Sequence, residues 1–315
     1  MKQGLKRSLS MLLVLCMLIG YMPLAASAAE PETTAAAQKD DFYRIVHLDA
    51  GRKYFSLENL KKLVDIMAQN GLNQLELYLA DNQGFRLALD DTTFTTTTGK
   101  QYNLTTSLGN GYSDGTFKPS KEEPGYLNQS EMTELVRYAH ANGVEIVPCI
   151  NVPGHMGAIL NPELTDRYAV PTADPYKDLR YTTSDGKISN SSIDLKKPEA
   201  VAFALGLTKK YAEYFKSVGC KYYSVGADEY ASDVRGDDIS WVKGELMSEF
   251  IQFLNQAADI IIQAGMTPRA FNDVFGMDDN NQINSAYEVY YWNGSGINAP
   301  GLKNHRIINT TSKIY

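Results

Sequence analysis

The stretch Ser224-Val225-Gly226-Ala227-Asp228-Glu229-Tyr230 decides the fold that the sequence predicts. A short apolar run, from Tyr222 to Val225, leads into small residues, two adjacent carboxylates and an aromatic side chain. Strands that end in this way place acidic groups at the rim of a sheet or barrel, which is where parallel α/β proteins carry their chemistry.

One unit recurs on both sides of that stretch. An amphipathic segment ends at a glycine, a short apolar run follows, and the run ends in polar or charged residues. Asn128 and Glu131 have the spacing of a capping box, and Ser56 is a suitable N-cap. Pro198 suits the first position of a helix. The pattern predicts four helices, over Ser56–Asn70, Gln129–Asn142, about Pro198–Gly219 and about Val242–Ala264.

The apolar runs between these segments predict strands. Strands that alternate with helices imply a parallel sheet with right-handed crossovers. No glycine-rich dinucleotide motif follows the first run, which disfavours an open doubly wound sheet. The prediction is a (β/α)8 TIM barrel over residues 41–315, truncated after strand seven because the chain stops at Tyr315. The seven predicted strands are Arg44–Leu48, Leu75–Ala80, Val144–Ile150, Tyr222–Val225, Pro268–Phe271, Tyr287–Tyr291 and Arg306–Ile308.

The first residues predict export from the cell. Residues 1–28 combine a basic start, an apolar stretch from Leu9 to Ile19 and a small-x-small site at Ala26-Ser27-Ala28, which together are typical of a secretory signal peptide. A membrane anchor is the alternative, but a spanning helix needs about 20 apolar residues. Residues 29–40 read as a disordered linker. We expect a secreted or cell-surface bacterial protein with no transmembrane segment after cleavage.

Composition excludes several classes of function. The formal net charge is −7 and no basic cluster occurs, which argues against a nucleic-acid partner. The sequence contains neither a histidine-cysteine cluster nor a His-Glu-x-x-His run, the usual signs of a bound metal, so we expect no metal and no cofactor. A Gly-x-Ser-x-Gly motif, the mark of many serine hydrolases, is also absent from the sequence. Cys149 and Cys220, which remain after cleavage, are expected to be free and buried.

The predicted strand ends share a composition suited to carbohydrate. They offer carboxylates, an arginine and aromatic side chains, and aromatic faces stack on sugar rings while carboxylates bind hydroxyls. We expect the long polar connections 90–127 and 156–196 to form walls of the sugar site. The candidate residues are Arg52, Asp81, His155, Asp228, Glu229, Asp273, Trp292 and Tyr315.

The adjacency of Asp228 and Glu229 limits the possible mechanism. Most glycosidases place two carboxyl groups on opposite sides of the scissile bond, about 5 to 5.5 Å apart for retention or about 6.5 to 9.5 Å apart for inversion. Neighbours at one strand end cannot easily flank a sugar in this way. In the substrate-assisted exception, the 2-acetamido oxygen of the substrate attacks the anomeric carbon, and an adjacent aspartate only orients that group.

The sequence resembles family 20 of the glycoside hydrolases, the β-N-acetylhexosaminidases, over about Tyr43 to Tyr315. It is most similar to the secreted or surface enzymes of Gram-positive bacteria. Each motif is weak alone, but together they occur in the family's order at predicted strand ends. The motifs are Leu48-Asp49-Ala50-Gly51-Arg52-Lys53-Tyr54-Phe55, Asp81-Asn82-Gln83-Gly84-Phe85-Arg86, Pro153-Gly154-His155-Met156, Val225-Gly226-Ala227-Asp228-Glu229-Tyr230, Ala270-Phe271-Asn272-Asp273 and Trp292-Asn293-Gly294.

The resemblance implies roles for the catalytic pair and for the sugar-binding residues. Glu229 would be the general acid and then the general base, and Asp228 would hold the acetamide N–H and stabilise an oxazolinium-like intermediate. Arg52 would bind sugar hydroxyls, Trp292 would form an aromatic wall, and Tyr315 would hydrogen-bond the acetamide oxygen.

The roles of two further residues are less direct. His155 would lie in or behind the pocket. For Asp273, a structural and a substrate-binding role both stay open.

The sequence departs from the family's commonest pattern at two places. Ala227 stands where many members have glycine, and Phe271-Asn272-Asp273 stands where many have a tryptophan followed by acids. Both departures resemble a subgroup of the family.

The expected activity is exo-acting, retaining removal of terminal β-linked N-acetylglucosamine or N-acetylgalactosamine from glycans. Release of a disaccharide, as by a lacto-N-biosidase, and an inactive glycan-binding fragment are the alternatives. An endo-acting chitinase is disfavoured because the Asp-x-x-Asp-x-Asp-x-Glu spacing is absent.

Overall fold

The computed structural model describes residues 42–109, 116–165, 174–235, 241–292 and 298–311. The predicted signal peptide (1–28), the predicted linker (29–40) and Tyr315 lie outside these described residues.

Seven parallel strands form one sheet, and strands that are consecutive along the chain are neighbours in it. This is the strand order of a (β/α)8 barrel carried through seven strands, and it confirms the predicted fold class. Within the described residues, the first and the last strand are the edges of the sheet. The strands are β1 (Ile45–Asp49), β2 (Gln74–Ala80), β3 (Glu145–Ile150), β4 (Tyr222–Ser224), β5 (Thr267–Phe271), β6 (Glu288–Tyr291) and β7 (Arg306–Asn309).

The register between strands has the stagger of a barrel. Asp49, the last residue of β1, pairs with Tyr78, and Tyr78 pairs with Cys149 of β3. Continuing through β4 and β5, the pairing reaches Arg269 and then Glu288, the first residue of β6. A line of paired residues thus runs from the end of one strand to the start of another. Tilted strands produce this shift when a sheet curls toward closure.

Four long helices follow strands β1 to β4, as predicted. They are α1 (Leu57–Gln69), α2 (Gln129–Ala141), α3 (Pro198–Ser217) and α4 (Met247–Gln263). Both halves of the predicted capping box are present, since Asn128 accepts from the Glu131 amide at 2.9 Å and Glu131 accepts from the Asn128 amide at 2.8 Å. The predicted start of the fourth helix is wrong. Trp241–Glu245 is a separate short helix, and Leu246, at φ −134°, interrupts the helical backbone before α4.

Apolar helix faces cover the outside of the sheet, but its inner face carries polar groups. Arg269 of β5 is completely buried and donates to Gln74 of β2 and to Tyr290 and Glu288 of β6, at 2.8, 3.0 and 2.8 Å. Its guanidinium lies 3.9 Å from the ring centroid of Tyr222. Because β2 and β5 are not neighbours in the sheet, this contact crosses the interior and closes its amino-terminal end.

The two long connections contain their own secondary structure. The strands Leu87–Ala88 and Leu127–Asn128 pair with each other, and Thr93–Thr95 forms a hairpin with Gln101–Asn103. In the second connection, Arg180–Thr182 and Ile188–Ile193 form an antiparallel hairpin. The shorter helical segments are Thr105–Ser107, Gly157–Leu160, Pro162–Thr165, Lys177–Leu179, Ser232–Arg235, Phe275–Met277 and Pro300–Leu302.

The hairpin of residues 93–103 packs against the outside of the barrel. Phe94 and Tyr102 contact Phe203 of α3, with ring centroids 5.4 and 4.7 Å apart. This part of the first long connection covers a helix, which the sequence did not predict.

Cys149 and Cys220 are free and buried, which confirms that prediction. Among the described helices, none combines the length and apolar character that crossing a bilayer requires.

Candidate active site

The backbone after β4 makes an unusual turn. Gly226, Ala227, Glu229 and Ala231 have φ values of +67°, +64°, +45° and +59°. Residues other than glycine seldom adopt this left-handed backbone conformation. As a result, neighbouring carboxylates that a strand would direct to opposite faces both approach one histidine. His155 Nε2 lies 3.5 Å from Asp228 Oδ2 and 3.2 Å from Glu229 Oε2.

Asn151, directly after β3, fixes the first half of this turn. Its Nδ2 donates to Asp228 Oδ1 at 2.5 Å and also to the hydroxyl of Tyr78. Its Oδ1 accepts from the backbone amide of Ala227 at 3.0 Å. A β-carbon on Gly226 would lie 2.4 Å from Asn151 Cγ, so this close approach requires glycine. Asn151 is not among the residues predicted from the sequence, although its place at a strand end could have indicated it.

His155 supplies positive charge between three carboxylates. It is buried, at 4% exposure, and its Nδ1 lies 3.7 Å from Asp81 Oδ2. Burial alone would lower the pKa of His155. Its interactions with Asp228 and Glu229, together with the negative charge of Asp81, outweigh burial and raise that pKa to about 10. The raised pKa favours the imidazolium form of the ring at neutral pH.

The same imidazolium keeps Asp228 ionised. Burial would raise the pKa of Asp228, but the charge of His155 and the hydrogen bond from Asn151 lower it below the usual range. His155, Asp228 and Glu229 also offer ligand atoms within 4.8 Å of one another, close enough for a metal ion. A metal would have to displace the imidazolium proton, so we assign the positive charge of this cluster to His155.

Arg52 joins the cluster through Asp81. Its guanidinium contacts Asp49 Oδ2 at 2.8 Å and Asp81 Oδ2 at 3.1 Å, while 52% of the side chain stays exposed. Burial raises the pKa of Asp81, although Arg52 and His155 both favour its charged form. A half-exposed arginine at this rim has N–H groups near solvent, where a ligand hydroxyl could accept from them.

Asp273 and Trp292 lie on the opposite flank of the turn. Trp292 Nε1 donates to Asp273 Oδ2 at 2.7 Å, and the Trp292 amide donates to Asn272 Oδ1 at 2.8 Å. The backbone amide of Glu229 donates to Asp273 Oδ1 at 3.4 Å. Asp273 therefore holds an aromatic side chain and the turn after β4 together, which gives it a structural role.

The charge of Asp273 depends on its surroundings. Burial, and then the negative charge of Asp228, raise the pKa of Asp273 to about 7. Its protonation therefore changes near neutral pH.

The structure thus brings seven of the eight predicted site residues to one end of the barrel. These are Arg52, Asp81, His155, Asp228, Glu229, Asp273 and Trp292. Tyr315 lies outside the described residues. Asp49 and Tyr78 join Asn151 as contacts that the sequence analysis did not select.

The chain is similar to known proteins over most of its length. The sequence profile described as "Glycosyl hydrolase family 20, catalytic domain" matches residues 42–315. A lacto-N-biosidase of Bifidobacterium bifidum is 25% identical over 202 residues, which cover 60% of this chain and 17% of that protein. A β-hexosaminidase of Akkermansia muciniphila is 29% identical over 175 residues, which cover 56% of this chain and 32% of that protein.

A solved structure is similar to this chain in both sequence and fold. The pneumococcal exo-β-D-N-acetylglucosaminidase StrH is 29% identical, with a TM-score of 0.71 over 85% of this chain and 64% of that one. The chain therefore spans less than a third of each of these two curated relatives and just under two thirds of this structure.

The left-handed turn generates a prediction about two neighbouring positions. Ala227→Gly should raise the free energy of unfolding by about 1 kcal/mol, because glycine adopts φ +64° without strain. Gly226→Ala should lower it, because the new β-carbon would overlap Asn151. Urea unfolding of both variants measures the two effects. Equal destabilisation by both substitutions would contradict this account of the turn.

The raised pKa of Asp273 predicts a pH dependence of stability. Because the folded state holds this proton more tightly than the unfolded state, the group loses stabilising free energy as pH rises from about 4 to about 7. Asp273→Asn still accepts from Trp292 but carries no charge. The free energy of unfolding of Asp273→Asn minus that of the parent should therefore increase by about 1 kcal/mol or more between pH 4.5 and pH 7.5.

Thermal unfolding at the two pH values measures this difference. Asp279→Asn, at a surface carboxylate paired with Lys243, is the control. A difference for Asp273→Asn that stays constant with pH would refute the raised pKa.

Proposed function

The chain belongs to glycosyl hydrolase family 20, and on that premise we propose that it is an exo-acting, retaining β-N-acetylhexosaminidase. It would remove terminal β-linked N-acetylglucosamine or N-acetylgalactosamine from glycans. One observation carries the proposal. Two adjacent carboxylates, Asp228 and Glu229, face the same imidazolium at 3.5 and 3.2 Å, so neither flanks a sugar opposite the other.

This arrangement favours a nucleophile supplied by the substrate. The acetamido oxygen of the sugar attacks the anomeric carbon, the bond to the leaving oxygen breaks, and Glu229 gives that oxygen a proton. Water then attacks the same carbon, Glu229 takes a proton from it, and the acetamide re-forms. Two inversions at one carbon retain the configuration.

Asp228 suits the supporting role in this sequence of steps. Its pKa is lowered, so it is a carboxylate at neutral pH that can accept the acetamide N–H. Its negative charge also stabilises the positive charge that develops on the oxazolinium ring. Asn151 restricts its rotation, which reduces the reorganisation needed during the reaction.

The remaining residues would bind the sugar. Arg52, held by Asp49 and Asp81, would donate to hydroxyl groups, and Trp292, held by Asp273, would stack against the ring or the acetamide methyl. The family resemblance gives Tyr315 the role of donor to the acetamide oxygen.

Release of a disaccharide is a second candidate activity. A lacto-N-biosidase is among the chain's relatives, and Arg52 leaves the sugar-binding end of the site half exposed. Analysis of the products from a defined oligosaccharide distinguishes one released sugar from two. A chain that binds N-acetylglucosamine but cleaves no substrate would instead be a glycan-binding fragment.

We also propose that the protein works outside the cell. The predicted signal peptide supports a secreted or cell-surface location. The likeness to pneumococcal structures at 29% identity favours the Gram-positive subgroup. Immunoblotting of the culture supernatant, the cell wall and the cytoplasm locates the protein.

The acid role of Glu229 predicts a loss that depends on the leaving group. Glu229→Gln should lower kcat by about 10²- to 10⁴-fold on a β-N-acetylglucosaminide with a poor leaving group. A dinitrophenyl glycoside, which needs little protonation, should lose less. Glu213→Gln, at an exposed helix carboxylate paired with Lys209, is the control.

The proposed attack by the acetamido oxygen of the substrate predicts a second result in the same assay. The matching β-glucoside, which lacks the 2-acetamido group, should be hydrolysed very poorly by the parent chain. Hydrolysis of a poor-leaving-group substrate at the parent rate by Glu229→Gln would refute the assignment of the acid.

A further inference from the structure

The backbone amides of the catalytic turn have a common feature. The last sheet-like bond on this segment runs from the Phe271 amide to Gly226 O at 2.7 Å. Beyond it, each of the three left-handed non-glycine residues of the turn gives its N–H to a side chain from another segment of the chain. Ala227 donates to Asn151, Glu229 to Asp273, and Ala231 to Ser192 Oγ at 2.8 Å.

Ser192 belongs to the strand Ile188–Ile193, which contacts both halves of the catalytic cluster. On one side, Met156 N donates to Ser191 O at 2.8 Å and Ile193 N donates to Pro153 O at 3.1 Å. These bonds hold the loop that carries His155.

On the other side, the hydroxyl of Tyr230 donates to Ile193 O at 2.6 Å, beside the bond from Ala231 to Ser192. These bonds hold the turn that carries Glu229. Ser192 and Ala231 are both completely buried, so water does not substitute for their hydrogen bond.

Ser189, which is buried, and Asp233, which is exposed, complete the link. Ser189 Oγ accepts from the amides of Ser191 and Ser192, at 3.1 and 2.8 Å, and donates to Asp233 at 2.9 Å. Asp233 also accepts from Ser191 Oγ and from the Asn190 amide, both at 2.7 Å. This carboxylate lies on the short helix Ser232–Arg235, which directly follows the turn.

We propose that Ser189, Ser192 and Asp233, here called the serine clamp, are positioning residues that hold Glu229 against His155. The separation of these two side chains depends on two loops that the strand Ile188–Ile193 joins. Residues other than glycine are strained in the left-handed conformation, which persists only where the surrounding structure holds it. The clamp supplies that restraint at Ala231 and at the helix behind it. The proposal concerns the same site as the proposed function and rests on it only for its kinetic arm.

Ser192→Ala tests the clamp with little change in volume. The Ala231 amide loses its acceptor, so hydrogen exchange of the amides of residues 226–235 should be about tenfold faster or more. Ser184→Ala, in the exposed turn of the same hairpin, should leave this exchange unchanged. Exchange is followed by mass spectrometry of the full chain, and it requires neither substrate nor activity.

The kinetic arm separates positioning from a general effect on folding. With a chromogenic β-N-acetylglucosaminide, Ser192→Ala should lower kcat by about 10- to 10²-fold and change KM by less than about threefold. Asp233→Ala should act in the same direction. Asp233→Asn should recover part of the loss, because its oxygen still accepts from Asn190 and its amide donates to a serine hydroxyl.

Two results would overturn the proposal. One is unchanged exchange of residues 226–235 in both Ser192→Ala and Asp233→Ala. The other is faster exchange with an unchanged kcat, which would make the clamp structural only. If the parent chain hydrolyses no substrate, the proposed function fails separately, and hydrogen exchange of residues 226–235 in Ser192→Ala and Asp233→Ala decides alone whether the clamp holds the turn.

Discussion

The site depends on one constraint of the backbone, the turn from Gly226 to Ala231, in which four of the six residues are left-handed. An extended strand would direct Asp228 and Glu229 to opposite faces of the sheet. The left-handed residues remove this alternation and bring both carboxylates to His155. The sheet cannot stabilise this turn, since its regular hydrogen bonding stops at Gly226. Side chains from three other segments of the chain supply the acceptors instead.

Charge balance follows from the same geometry. Bringing carboxylates together in a buried site would raise the pKa of at least one of them if no cation were near. The imidazolium of His155 keeps Asp228 ionised, whereas Asp273, which contacts Trp292 and lies farther along the rim, has its pKa raised to about 7. Asp228 and Asp273 thus shift their pKa in opposite directions, because the contacts of Asp228 with His155 and Asn151 outweigh burial whereas burial dominates at Asp273.

Much of the fold could be predicted because it depends on local signals. The apolar runs gave all seven strands to within about two residues, and the caps at Ser56 and Asn128 set the helix starts. The break at Leu246 was missed, because apolar periodicity continues through it. The buried Arg269 was missed as well, since a charged residue in a strand does not indicate which distant strands will pair with it.

The site was predicted less completely, and for a physical reason. Glu229, Asp228 and His155 could be selected because strand ends in a parallel barrel converge, and strand ends are visible in the sequence. Asn151, Ser192 and the structural contacts of Asp273 could not, since each acts on a backbone amide whose need for a partner arises only from the left-handed turn.

Ala227 connects a feature of the sequence with a feature of the structure. Its presence where many family members have glycine is only a departure from a pattern in the sequence. In the structure it is a strained residue at φ +64°, whose amide is held by Asn151, the residue that also holds Asp228. The same side chain therefore restrains the backbone and orients the carboxylate, so strain at Ala227 and the position of Asp228 are coupled through one amide group.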